Sequence, residues 1–161
     1  MRDLQFGDSL KQLLEVIKEE QQKLSIEHGK LVPIAIKIAP DMEGDDVRLV
    51  SDAFKQFEVD GVIATNTTIS RAGVEGCNHA EEAGGLSGAP LTHASTDVVK
   101  ALYAELGDEI PIIGVGGIID GASAADKIEA GAKLVQMYTG FIYHGPSLIR
   151  EAAEAIASVR R

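Results

Sequence analysis

The sequence predicts an α/β fold in which short buried strands alternate with helices in one parallel sheet. Apolar residues make up 45% of the 161-residue chain and aromatic residues only 4%, so the apolar content is mainly aliphatic. Aliphatic runs of strand length are typical of parallel strands that are buried on both faces. Segments with helical spacing of apolar residues separate these runs, and the short connections between them favour right-handed crossovers.

The elements can be assigned in order along the first part of the chain. A helix is predicted from Ser9 to about Glu27, because apolar residues recur there at helical spacing and Gly29 can end the helix. The next elements are a strand at 32–39 that stops at Pro40, a helix from Asp45 or Asp46 to about Phe57, and a strand at 61–67.

A long polar stretch from Thr68 to about Thr92 then interrupts the alternation. Loops of this length are uncommon in compact domains and are often lids or binding loops. The remaining elements are a helix at 95–106, a strand at 110–115, a helix at 123–130, a strand at 134–137 and a final helix that starts near Pro146. The predicted order is therefore one helix followed by four strand–helix units.

The last two predicted strands end in small residues that suit a phosphate group. Gly116 and Gly117 end the third strand, and Tyr138, Thr139 and Gly140 end the fourth. In barrels of eight strand–helix units, the loops after the last two strands often bind phosphate through backbone N–H groups. We therefore predict a parallel (β/α)4 half of a TIM (β/α)8 barrel, preceded by one helix and spanning 1–161. A four-stranded doubly wound domain is the alternative that the pattern alone leaves open.

Charge and composition exclude several classes of function. The formal net charge of -10 argues against a nucleic-acid partner, which would need patches of Lys and Arg. The single Cys77 excludes an internal disulfide and fits a reducing compartment, and no apolar stretch approaches the ~20 residues that cross a bilayer. We expect a cytoplasmic chain without a metal site. The histidines lack metal-ligand spacing and are predicted at the surface or in loops: His28, His79, His93 and His144.

Polar side chains near the strand ends are the candidates for ligand binding. Lys37 lies in an otherwise apolar strand, so it either extends outward to solvent or points inward, where its cation would stabilise negative charge on a bound ring or phosphate. Thr65, Asn66 and Thr67 end the second strand. Asn66 has the donors and the acceptor to bind a small molecule with amide and carboxylate groups, or it forms a turn with its own backbone.

Five motifs occur in order along the chain and together resemble one enzyme family. They are 36–41 (Ile-Lys-Ile-Ala-Pro-Asp), 61–68 (Gly-Val-Ile-Ala-Thr-Asn-Thr-Thr), 84–88 (Gly-Gly-Leu-Ser-Gly), 112–117 (Ile-Ile-Gly-Val-Gly-Gly) and 138–141 (Tyr-Thr-Gly-Phe). They resemble the C-terminal half of the class 2, quinone-linked dihydroorotate dehydrogenases. The opening Arg2-Asp3-Leu4-Gln5 matches the stretch that follows this family's Asn-Thr-Pro-Gly loop. The resemblance implies an FMN-binding barrel that oxidises dihydroorotate to orotate in pyrimidine biosynthesis and passes the electrons to a membrane quinone.

The resemblance also implies roles for single residues. Those expected to contact FMN are Lys37, Thr65, Gly88, Gly116, Gly117, Tyr138 and Thr139. Lys37 would lie at the pyrimidine end of the flavin ring, and the glycines with Tyr138 and Thr139 on the phosphate and ribityl side. Asn66 and Thr67 are expected to bind the orotate ring. Family members often carry Ser where this chain has Thr139, and both residues keep the hydroxyl group.

The family's catalytic base, a serine, lies upstream of this sequence, so we assign no catalytic residue here. We expect the chain to be part of a longer protein that works at the cytoplasmic face of the inner membrane, and the part alone to be inactive. One alternative is a non-catalytic half-barrel that binds FMN or phosphate and associates with itself or with the missing N-terminal half. Another is a fragment of a different phosphate-binding barrel synthase.

Overall fold

The computed structural model describes residues 7–42 and 44–160. The opening Arg2-Asp3-Leu4-Gln5 lies outside these residues. The helices are α1 (Gly7–His28), α2 (Asp46–Gln56), α3 (Thr92–Leu106), α4 (Gly121–Glu129), α5 (Thr139–His144) and α6 (Ser147–Val159). The strands are β1 (Ala35–Ile38), β2 (Gly61–Ala64), β3 (Ile112–Val115) and β4 (Leu134–Gln136), and a 3₁₀ turn spans Ala89–Leu91.

The four strands form one parallel sheet in the order β1-β2-β3-β4, which is also their order along the chain. A doubly wound sheet reverses its strand order at a switch point and places helices on both faces. The sequential order found here rules out that alternative and is the arrangement of strands in a barrel.

The helices cover one face of the sheet. Ile38, Val62 and Ile112 point to this face and are almost completely buried in one core with the apolar sides of the first three helices. Phe54 of α2 is the largest side chain in that core. A smaller cluster under α4 and α6 contains Ile118, Ala124 and Ala152.

The opposite face of the sheet, which we call the inner face, is not covered within the described residues. The strand register aligns Lys37, Ile63, Ile113 and Leu134 across it. Lys37 is exposed, Ile63 and Ile113 are half-buried, and Leu134 is 61% exposed. The prediction that the strands are buried on both faces is therefore wrong for this chain, because all the helices pack on the same side.

Among the differences from the predicted elements, one helix start and one unpredicted helix have identifiable reasons. Helix α3 begins at Thr92, three residues before the predicted start at Ser95, because the 3₁₀ turn leads directly into it. Helix α5 was not predicted, since Thr139–His144 is short and lacks a clear apolar period. Tertiary contact fixes α5: a Cβ on Gly140 would lie 2.0 Å from the carbonyl oxygen of Ile118, so only glycine allows this approach.

The structure also bears on the predictions for the histidines, Cys77, metal binding and membrane-spanning helices. The histidines are all exposed, as predicted, and Cys77 is an exposed free thiol. Among residues 7–42 and 44–160, no cluster of side chains is suited to hold a metal ion. Within the same ranges, no helix combines the length and the apolar character needed to cross a membrane.

Candidate functional site

A cavity of about 280 Å³ opens at the carboxyl ends of the strands. All the residues predicted to bind FMN or orotate line it: Lys37, Thr65, Asn66, Thr67, Gly88, Gly116, Gly117, Tyr138 and Thr139. They come from all four strand ends and from the long loop. Parallel strands bring their carboxyl ends to one edge of the sheet, which explains how residues so distant in sequence converge there.

The loop after β3, Gly116–Ile118, lines this cavity, and hydrogen bonds to α3 fix the direction of its peptide groups. Its carbonyl groups point toward α3, because Ser95 Oγ donates to Gly116 O at 2.8 Å and Thr92 Oγ1 donates to Gly117 O at 2.6 Å. A trans peptide directs its N–H opposite to its carbonyl. The N–H groups of Gly117 and Ile118 therefore point away from α3, and an anion in the cavity would meet two oriented donors.

Gly117 is required at its position by the close approach of α3. Its φ is +68°, and a Cβ added there would lie 2.3 Å from the backbone nitrogen of Thr92. A side chain would push the loop away from the first turn of α3 and would turn its donors out of place.

The end of β2 is held by backbone hydrogen bonds on both sides. Thr65 N donates to Val115 O at 2.8 Å, and Asn66 N donates to Ile38 O at 2.7 Å. Asn66 Oδ1 accepts from Thr67 N at 2.9 Å, so its oxygen bonds the local backbone, although no turn forms at these residues. Within the described part of the chain its Nδ2 group makes no hydrogen bond and keeps two donors for a ligand.

Lys37 lies on the inner face and lines the same cavity. Its chain neighbours Ile36 and Ile38 contact the helix-covered core, so alternation along β1 directs Lys37 to the opposite side. Lys37 therefore lies on the cavity side of the sheet, where its side chain is exposed in this chain.

The loop after β4 contacts the long loop across the cavity. Ser87 Oγ and Thr139 Oγ1 form a hydrogen bond of 2.9 Å, and the methyl group of Thr139 lies 3.1 Å from where a Cβ on Gly88 would be. Tyr138 is 77% exposed. The sequence alone predicts no role for Ser87, since its position next to Thr139 depends on how the long loop folds.

The long loop folds back on itself and brings Ser87 and Gly88 to the cavity. Thr68 and Leu86 pair as an antiparallel bridge, with N···O distances of 3.1 Å and 2.8 Å. The Arg71 guanidinium group donates to backbone carbonyls on both limbs of the loop, those of Ile69, Ser70, Glu82 and Gly84. The carboxylate of Asp41, just after β1, accepts a hydrogen bond from the Thr68 hydroxyl. Hydrogen bonds therefore fix the long loop at Thr68 near its start and at Leu86 near its end.

Sequence reasoning also missed Lys127, a buried charged residue that contacts the start of α3. Lys127 is a residue of α4 and is 0% exposed. Its Nζ donates to Thr92 O at 3.1 Å and to the Thr96 hydroxyl. Burial lowers the pKa of Lys127 from 10.5 to about 8, and the nearby Asp126 and Asp97 carboxylates partly oppose this shift. The helical spacing of the buried residues of α4 includes position 127, and this spacing is the sequence signal that indicates burial of Lys127.

The lowered pKa of Lys127 predicts a specific pH dependence of stability. Between pH 8 and 10.5 the unfolded chain holds a proton on Lys127 that the folded chain has lost. The unfolding free energy of the wild type should therefore rise with pH in this window relative to Lys127→Met, by at most about 1.4 kcal/mol per pH unit. Urea unfolding of both proteins across the window measures the difference. Identical pH dependence of the two proteins would contradict the shift.

Comparison with known proteins identifies the family of this chain. The family model described as Dihydroorotate dehydrogenase matches residues 1–159. A protein of Marinobacter nauticus named dihydroorotate dehydrogenase (quinone) is 67% identical over 156 residues, which are 97% of this chain and 46% of that protein. A protein of the same name from Ectopseudomonas mendocina is 60% identical over 161 residues, or 100% of this chain and 47% of that protein. The chain thus spans about half the length of the curated relatives it matches.

Solved structures give the same result for the fold. The crystal structure of DHODH from Eimeria tenella in complex with ferulenol has a TM-score of 0.88 and 32% identity, over 98% of this chain and 46% of that one. The ligand-free form gives a TM-score of 0.89 and 34% identity, over 98% and 47%. The four strand–helix units correspond to half of a TIM barrel, as the sequence predicted. The chain belongs to the dihydroorotate dehydrogenase family.

Proposed function

We propose that this chain is the C-terminal half of a quinone-linked dihydroorotate dehydrogenase and forms the FMN-phosphate side of its site. The observation that carries the proposal is the convergence of all the predicted binding residues in one cavity at the carboxyl ends of the strands. Membership of the family supports it, and so do relatives named dihydroorotate dehydrogenase (quinone). Membership of this family argues against the alternative that the chain is a fragment of a different phosphate-binding barrel synthase.

The residues present fit the phosphate of FMN. The N–H groups of Gly117 and Ile118 point away from α3 toward the cavity, and no side chain at Gly116 or Gly117 blocks their approach to an anion. The hydroxyl of Thr139, held by Ser87, adds a donor on the other side. We infer that this corner holds the phosphate, with Gly88 and Tyr138 beside the ribityl chain.

The cation of Lys37 and the polar end of β2 suit the ring system. When bound, FMN would take up electrons from dihydroorotate and deliver them to the quinone. Lys37 would stabilise negative charge at the pyrimidine end of the ring, and Thr65 would contact the ring from the end of β2. The free amide donors of Asn66, with Thr67, would orient orotate through its carboxylate and carbonyl oxygens.

The remaining parts of the enzyme would come from the N-terminal half. The inner face of this sheet carries Ile63, Ile113 and Leu134, and four further strands would cover them in a closed barrel. The serine base that the family resemblance implies would belong to that half, so the chain alone should not turn over. Because quinones dissolve in membranes, we place the complete protein at the cytoplasmic face of the inner membrane.

Titration with FMN and riboflavin tests the proposal directly. We expect saturable quenching of FMN fluorescence by the purified chain and an affinity for riboflavin at least about 100-fold lower, because riboflavin lacks the charged phosphate that two N–H groups would bind. Inorganic phosphate should compete with FMN. Equal affinities for FMN and riboflavin, or binding of neither, would contradict a phosphate site formed by this half.

A second candidate is a half-barrel that pairs with its own copy. The exposed inner face and the two open strand edges, on β1 and β4, favour association. A dimer in sedimentation equilibrium that persists when the N-terminal half of the Marinobacter nauticus relative is added would favour this candidate. Replacement of the dimer by a one-to-one complex with that half would favour the completed barrel.

A further inference from the structure

Lys127 contacts both structural elements that flank the glycine loop. Its aliphatic stem packs against β3: the position of a Cβ on Gly114 lies 3.0 Å from Lys127 Cβ and 3.3 Å from its Cδ. Its ammonium group reaches the first turn of α3 at Thr92 O and the Thr96 hydroxyl. A lysine with no exposed surface is rare in a protein core, and it persists only when its charge is hydrogen-bonded.

The same turn of α3 holds the glycine loop in place. The Thr92 and Ser95 side chains anchor the carbonyl groups of Gly117 and Gly116. Thr92 O, which accepts from Lys127, also accepts from the hydroxyl of Thr96 at 2.8 Å. A shift of this turn would move both anchored carbonyls and would rotate the N–H groups that face the cavity.

We propose that Lys127 is a positioning residue for the phosphate-binding loop, acting through the first turn of α3. This inference rests on the proposed function, because it assigns the loop at Gly116–Gly117 to a phosphate group. The stem of Lys127 fixes the strand before the loop, and its head fixes the helix turn that anchors the loop. The loop is thereby held at both its entry and its outer side without any direct contact between Lys127 and the ligand.

Lys127→Met tests this role, since methionine keeps most of the stem and removes the hydrogen-bonding head. The matched control is Lys100→Met, which removes an exposed lysine from α3 itself. Affinity for FMN should fall about tenfold in Lys127→Met, whereas affinity for riboflavin should not change. The ratio of the two affinities is the decisive readout, because a general loss of structure would lower both together. Lys100→Met should keep the wild-type ratio.

Hydrogen exchange of the ligand-free chain gives a second, independent readout. In Lys127→Met, exchange should become faster in residues 92–97 and 112–120 and stay unchanged in α1 and in β1, which β2 separates from β3. Uniformly faster exchange, or a wild-type affinity ratio in a folded variant, would overturn the positioning role. If Lys127→Met does not fold, Thr96→Val removes one partner of the ammonium group and should give the same changes to a smaller extent.

The two readouts separate this inference from the proposed function. Failure of the wild-type chain to bind FMN would contradict the proposed function. The exchange pattern of the ligand-free variants would then still decide whether Lys127 positions the loop. Normal FMN binding by the wild type with an unchanged affinity ratio in Lys127→Met would contradict the inference alone.

Discussion

Gly117→Ala should weaken FMN binding by at least about 100-fold and lower the unfolding free energy by about 2–4 kcal/mol. The added Cβ would lie 2.3 Å from the backbone nitrogen and Cα of Thr92, and backbone atoms cannot move aside as the end of a flexible side chain can. The loop or the first turn of α3 must therefore shift, and the two N–H groups that face the cavity lose their orientation. FMN titration and urea unfolding measure the two effects.

The control for this prediction separates steric overlap from backbone strain. Gly29 has nearly the same backbone conformation, with φ at +64°, but nothing lies within 4 Å of where its Cβ would be. Gly29→Ala should cost only about 1 kcal/mol and leave the affinity for FMN unchanged. A Gly117→Ala protein that binds FMN as tightly as Gly29→Ala would show that this loop does not hold the phosphate.

Lys37→Ala should slow flavin reduction by about 100-fold to 1000-fold in the complete enzyme and lower FMN affinity by less than about tenfold. Lys37 lies on the inner face of β1, and β2 separates it from β3, which leads into the glycine loop that would bind the phosphate. Loss of its cation should therefore affect charge on the ring more than retention of the phosphate. Joining the N-terminal half of the Marinobacter nauticus relative to this chain provides the barrel for the experiment.

Rapid mixing with dihydroorotate gives the reduction rate, and fluorescence titration gives the affinity for FMN. Lys30→Ala is the control, because it removes an exposed lysine just before the same strand without altering the cavity lining. Equal losses of rate and affinity in Lys37→Ala, or no loss of either, would contradict a role at the flavin ring.

Much of the fold was accessible from local pattern. The alternation of apolar runs with helical segments gave the element order of the four strand–helix units, and the observed strands all lie inside the predicted ones. Helix α5 was missed because its six residues are stabilised by contact of Gly140 with the chain at Ile118 rather than by their own periodicity. Short elements held by tertiary contact leave little signal in a sequence.

The candidate site residues were predicted from two sources, residue types at the strand ends and the resemblance to a family. Residue types at the strand ends indicated a phosphate corner and a polar β2 terminus, whereas the flavin and orotate roles came from the resemblance to a family. Asn66 shows the limit of residue type alone, since its oxygen accepts a hydrogen bond from the backbone of Thr67, which residue type did not determine. Binding of a ligand by its nitrogen stays a prediction.

By itself, the sequence determined which residues follow each strand, because apolar periodicity and glycine placement are local properties of the chain. Only the tertiary structure decided that the strands lie in sequential order, that the helices cover one face, and that Lys127 is buried against the turn that anchors Gly117. These features depend on contacts between segments far apart along the chain. Many strand orders satisfy the same periodicity, and packing of the helices against one face selects among them.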